Sequence, residues 1–131
     1  LSAFRDSYPY ASDYWPNRFK TTLTRIDEVK VPATASKAKD VTIDVAVSAV
    51  QYPADTAAAA DSKAKVTATL VLADGTEKVY NAKFVKNGSF QATIPAKDLS
   101  GLKAGSYTLV VQSAFSTEAP SVVPTSLVLL P

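Results

Sequence analysis

The chain contains no cysteine, no histidine and no methionine. Without cysteine there is no disulfide framework, no thiol nucleophile and no thiolate metal site. Without histidine the commonest general base and the commonest transition-metal ligand are gone. The missing methionine means that no initiator is included, so the chain reads as a segment of a longer one. Long apolar runs are absent too: none reaches the roughly 18 residues that a membrane helix needs. The start lacks the charged and apolar regions of a signal peptide, and no membrane insertion is expected within this segment. Charge of one sign is scarce, with Lys and Arg numbering 14 against 12 Asp and Glu, a net charge of +2. The lysines are scattered among carboxylates and form no basic patch with interleaved aromatics, so a nucleic-acid partner is not expected.

What is present is the material of a packed domain. In 131 residues, 47% are hydrophobic and 20% charged, the proportions of one globular domain able to bury a core without staples. From residue 21 onward the apolar residues recur with a period of two. Val41, Ile43, Val45 and Val47 share one face of "DVTIDVAVSAV", the pattern of a half-buried strand. In "KVTATLVLADGTEKVYNAKFV", Val66, Ala68, Leu70 and Leu72 point inward ahead of an Asp74-Gly75 turn. In "VKNGSF", Asn87-Gly88 supplies a second hairpin turn with positive φ angles, and Tyr80, Ala82 and Phe84 before it match Phe90, Ala92 and Ile94 after it. Two such turns in succession predict an antiparallel meander.

Other segments are less regular. "TTLTRIDEVKV" changes parity between Leu23 or Ile26 and Val29 and Val31, which predicts a bulge or a strand that changes partner. Tyr107, Leu109 and Val111 share a face of the next strand, and Pro124 confines the last one to an edge or a bulge. "PADTAAAADSKA", residues 53 to 64, is expected to be a mobile loop with at most one helical turn, because so short an alanine-rich stretch is a marginal helix. Residues 1 to 20 follow no period and are broken by Pro9 and Pro16, so they read as an irregular arm. About seven strands result, the count of an aligned sandwich.

"FQATIPAKDLSGLKAGSYTLVVQSA" resembles the later half of an immunoglobulin-like or fibronectin type III-like domain, with Leu102, Gly105 and Tyr107 matching the leucine, glycine and tyrosine ahead of the penultimate strand. The resemblance implies a structural role for these three, the tyrosine hydroxyl bonding back to backbone. Residues 26 to 130 are also similar to accessory sandwich modules at the C-terminal end of extracellular, peptide-type solute-binding proteins, and to surface-layer and adhesin-like modules. That similarity implies a secreted or cell-surface setting, serving an ABC transporter in the first case.

No catalytic constellation emerges. Asp27, Glu28, Asp40, Asp44, Asp55, Asp61, Asp74 and Asp98 are spread along the chain, with no spacing that pairs two of them for glycosidase chemistry or gathers them around calcium. Neither a nucleophile elbow nor a phosphate loop occurs. No enzyme activity, metal or cofactor is expected. Lys65, Lys78, Lys83 and Lys86 read as exposed lysines that deter association of sheet edges. The one local anomaly is "SYPYASDYWPNRF", residues 7 to 19. Its Tyr8, Tyr10, Tyr14 and Trp15 suit docking against a neighbouring domain of the same chain or another surface protein, or stacking on a carbohydrate. The expectation is therefore an all-β, seven-stranded antiparallel immunoglobulin-like sandwich over 21–131 behind an aromatic arm over 1–20. Its expected function is that of a non-catalytic spacer or docking module, with a carbohydrate-binding module or a surface-layer or adhesion repeat as the alternatives.

Overall fold

The period of two builds two antiparallel sheets packed face to face. A computed structural model describes residues 21–52, 56–115 and 120–131. Along the chain run β1 (Thr21–Lys30), β2 (Val41–Tyr52), β3 (Thr56–Ala59), β4 (Lys65–Val71), β5 (Glu77–Asn81), β6 (Lys83–Lys86) and β7 (Ser89–Ile94). A one-turn helix, α1 (Ala96–Leu99), then leads to β8 (Gly105–Ala114) and β9 (Ser121–Leu129). The first sheet has the order β1-β2-β7-β6 with β3 also on β2, and the second has the order β5-β4-β8-β9. With β3 set aside, these orders follow the immunoglobulin arrangement, β1, β2, β7 and β6 in one sheet against β4, β8 and β9 with β5 added in the other. The core is the inner face of both sheets: Ile43, Val45, Val47, Phe90 and Ile94 of the first meet Val66, Leu70, Leu109, Val111 and Leu127 of the second.

Both hairpins form. Gly75 and Gly88 take φ angles of +86° and +83°, and the Asp74 carboxylate accepts the Thr76 N–H at 2.9 Å. The expected meander, however, is divided between the sheets. β5 pairs with β4, and β6 pairs with β7, where Phe84 faces Phe90. Ala82 is the corner: its N–H donates to the Val66 carbonyl at 2.8 Å, after which the chain joins the first sheet. Tyr80 and Ala82 therefore do not pair with β7. Tyr80 serves the second sheet, and its hydroxyl donates to Asp98 Oδ2 on α1 at 2.8 Å. Phe84 meets the buried Phe90 ring edge-on, with centroids 5.5 Å apart, and covers the core at this side.

β1 has the bulge that its parity change suggests and keeps β2 as its partner throughout. Its register with β2 shifts between Ile26 and Glu28, and beyond its end Ala35 bridges in parallel to Leu129 of β9. Thr24 and Ser113, both buried, satisfy each other across the sheets at 2.8 Å. Pro124 lies on the edge strand β9, where no ladder bond is asked of its nitrogen.

Among the described residues there are nine strands against the approximate expectation of seven, and residues 56 to 59 account for part of the difference. Instead of a loop, Thr56–Ala59 pairs with Ser48–Gln51 of β2. β7 covers only Val41–Ala46 on that side of β2, leaving the far half of the strand with open donors and acceptors that a strand must satisfy. Pairing demand thus overrides the weak β-propensity of alanine. Where β7 ends and β3 begins, three residues close a ring of backbone bonds. Val47 N donates to Gly88 O at 3.0 Å, Gly88 N to Ala60 O at 2.6 Å, and Ala60 N to Val47 O at 3.1 Å.

Two predictions follow from this geometry. A Cβ on Gly88 would lie 3.0 Å from Ala59 Cβ, whereas one on Gly75 would meet nothing within 4 Å. Both alanine variants carry the strain of positive φ, about 1–3 kcal/mol, so chemical denaturation should find Gly88→Ala the more destabilised. Equal losses would show that the contact with β3 contributes nothing. The second concerns Tyr80, whose ionisation is pushed above its ordinary value of 10.0 by burial and by the Asp98 carboxylate. The folded state then holds this proton more tightly than the unfolded one. Its contribution is complete below pH 10 and declines as pH rises further. Tyr80→Phe should lose about 1 kcal/mol at neutral pH and flatten the alkaline decline of stability, as urea titrations at several pH values would record.

Candidate functional site

Because strand residues alternate between faces, the outward positions of each sheet form a surface that the core does not specify. Pairing register arranges those positions in rows. Across the first sheet, one row runs through Lys30, Asp44, Gln91 and Lys83, and the next through Glu28, Ala46, Ser89 and Lys86. Asp44 accepts from Gln91 Nε2 at 2.9 Å, and Lys30 lies 3.5 Å from Glu28. At the bulge, the Asp27 carboxylate takes hydrogen bonds from Ser48 Oγ and from Arg25 Nε. Burial acts to raise its pKa, but the bonds from Ser48 and Arg25, with the guanidinium charge, outweigh that and hold it below the ordinary carboxylate value. This face is charged, and its β1 side is paired through Arg25–Asp27 and Lys30–Glu28.

The outward face of the second sheet has a different chemistry. Its central row is Val79, Thr69, Val110 and Pro124, one from each strand. The flanking rows are Asn81, Thr67, Gln112 and Val122 on one side, and Glu77, Val71, Thr108 and Ser126 on the other. Lys65 and Glu77 are the charged side chains on this face among the described residues, and they stand at opposite ends of it. Val79 and Val122, on the two edge strands, are 61% and 47% exposed. A shallow groove of about 660 Å³ follows the face and reaches Phe115. Neutral hydroxyl and amide groups around an apolar centre can take up another protein surface without stripping water from charges.

Several carboxylates are held by hydrogen bonds. Asp40 accepts the Ala96 N–H at 2.8 Å and so starts α1, Asp61 accepts the Lys63 N–H at 3.0 Å, and Asp98 receives Tyr80. Among the described residues, no group of three or more acidic side chains is gathered as a metal site. Lys78, Lys83 and Lys86 lie on the edge strands β5 and β6, while Lys65 begins the inner strand β4. Tyr107 stands near the start of β8, half-buried, and its hydroxyl donates to the Lys103 carbonyl at 2.6 Å. Gly105 opens that strand at a φ of +142°. Leu102 packs against the core, and its N–H donates to Leu99 O at 3.0 Å. Tyr8, Tyr10, Tyr14 and Trp15 lie outside the described residues, as does Asp55. The outward apolar positions occupy two adjacent rows, Val79 and Val110 in one and Val122 in the next, and are not marked by the alternation that fixes the buried face. Their signal was a valine where an exposed strand position usually carries a polar residue, at 79, 110 and 122.

No family model matches the chain, and no curated protein matches it. A solved structure that aligns with it is AggA, the major subunit of aggregative adherence fimbriae type I from Escherichia coli. Identity is 11% and the TM-score 0.38, over 82% of this chain and 95% of that one. The fold described above rests on this chain's own strand pairing.

Proposed function

We propose that this chain is a non-catalytic docking module of a secreted or cell-surface protein, which presents the outward face of its second sheet to a neighbouring domain or surface protein. The observation that carries the reading is the contrast between two faces of one sandwich. One holds Lys30, Asp44, Glu28, Lys83 and Lys86, and the other is neutral across its central row. A surface meant only for water has no need of exposed valines at 79 and 122, and a neutral face costs less to desolvate in an interface than a charged one. The sequence resemblance to accessory modules of solute-binding proteins and to surface-layer modules supplies the setting: a rigid sandwich that holds one part of a larger protein against another. On this reading Tyr8, Tyr10, Tyr14 and Trp15 are further docking residues, as amphipathic aromatics often are.

Side-chain oxidation footprinting tests the proposal. In the intact parent protein, Val79, Val110 and Val122 should be protected relative to the isolated chain, while Lys83 and Lys86 stay equally accessible. Unchanged reactivity of the three valines would sink it. Trp15→Ala should weaken docking without moving the unfolding midpoint; loss of retention on a polysaccharide affinity gel instead would favour sugar stacking.

A further inference from the structure

The neutral face specifies more than the existence of a partner, and on the docking reading just given we infer that its partner is a second copy of this chain, laid face to face with its strands running antiparallel. The argument is one of charge and self-complementarity. Lys65 starts β4 at one end of the face, and Glu77 starts β5 at the other, where it pairs with Val71. The two are separated by six residues of β4, about 20 Å at the strand rise.

Rotation of a second copy by 180° about a line across the strands, midway between the row of Thr67 and the row of Thr69, carries the level of Lys65 onto the level of Val71 and Glu77. The Lys65 end of each copy then meets the Glu77 end of the other, and the closed two-fold contact makes that pairing twice. Rotation about the strand direction would instead bring the two Lys65 ends together and the two Glu77 ends together. Charge therefore selects the antiparallel pairing over the parallel one.

The rest of the face tolerates its own image. The central row then faces the row of Asn81, Thr67, Gln112 and Val122 of the other copy, so Val79 meets Asn81 and Val110 meets Gln112. Val71 and Thr108 come opposite Lys65 and Ala114, which sets Lys65 beside Glu77 one strand over. Hydroxyls and amides both donate and accept, so such rows can face one another. The charged face of the first sheet, with Lys83 and Lys86 along one edge, has no rotation that neutralises them all.

Four strands at about 4.8 Å spacing make the face only about 15–20 Å wide. Its area is well below the roughly 800 Å² per partner of a stable complex, so the pairing is weak and suited to copies held close together. Methyl and amide NMR of the full chain, from about 10 µM to about 1 mM, covers the range expected of so small an interface. Shifts should move with concentration at Val79, Val110, Val122 and Thr69, and stay fixed at Asp44 and Gln91.

Lys65→Glu alone and Glu77→Lys alone should each weaken self-association by about tenfold, since each turns two exposed attractions into repulsions. The double variant K65E/E77K should restore it. A double variant as weak as the singles overturns the inference, as do concentration-independent spectra. If the spectra do not change but footprinting still finds the valines protected in the intact protein, the docking reading stands and the second copy is not the partner. If neither effect is seen, both fail.

Discussion

The sandwich depends on how β2 is shared. This strand is the longest in the chain, and on one side it must serve two partners in tandem, β7 and then β3. The junction falls at Val47, whose side chain is in the core and whose backbone joins Gly88 and Ala60 in a closed ring of hydrogen bonds. Three chain segments meet there without an unpaired backbone group at the joint, because each supplies the donor or acceptor that the next one lacks. Glycine is favoured at 88, where φ is positive and an added Cβ would crowd the methyl of Ala59 at 3.0 Å. Through that turn the ring fixes the β6–β7 hairpin, and through β6 it fixes the edge that Phe84 closes.

Much of this architecture was legible because the sequence states it locally. Asp74-Gly75 and Asn87-Gly88 are demanded by turn geometry alone. The alternation of Val41 to Val47 leaves no choice of buried face, and Pro124 could sit only where its nitrogen is not asked to donate. What was not legible depended on neighbours distant in sequence. β3 is a strand because β7 is too short to cover β2, a fact about lengths that no reading of "TAAAAD" contains. The split of the meander at Ala82 is equally non-local. In register, Ala82 and Tyr80 could have continued opposite Ala92 and Ile94, yet β4 offered the Val66 carbonyl and the second sheet took them. α1 depends on the Asp40 carboxylate, which caps it from a position 56 residues away.

The surface was still less legible, for a physical reason. Periodicity tells which residues leave the core but not which of them become neighbours. The row of Val79, Thr69, Val110 and Pro124 is drawn from four strands and exists only once the order β5-β4-β8-β9 and its registers are set. The opposition of Lys65 and Glu77 likewise needs the β4–β5 register before it has a meaning. The aromatic arm, by contrast, was visible at once as composition, since unusual composition needs no fold to be noticed.

The two surfaces follow from one separation of roles within each strand. Inward residues are constrained by packing: Leu70, Leu109 and Leu127 are fully buried, and their shapes must fit one another. Outward residues on the same strands bear almost none of that constraint, so Thr69, Val110 and Ser126 can be chosen for what lies outside without disturbing the core one residue away. Edges are the exception, since a change there exposes backbone. There the chain places Lys78, Lys83, Lys86 and Pro124, residues that oppose strand addition. With β5, β6 and β9 so guarded and the first face charged, the uncharged centre of the second face is the surface proposed to meet another molecule. On the docking reading, that restriction favours face-to-face contact over growth of the second sheet.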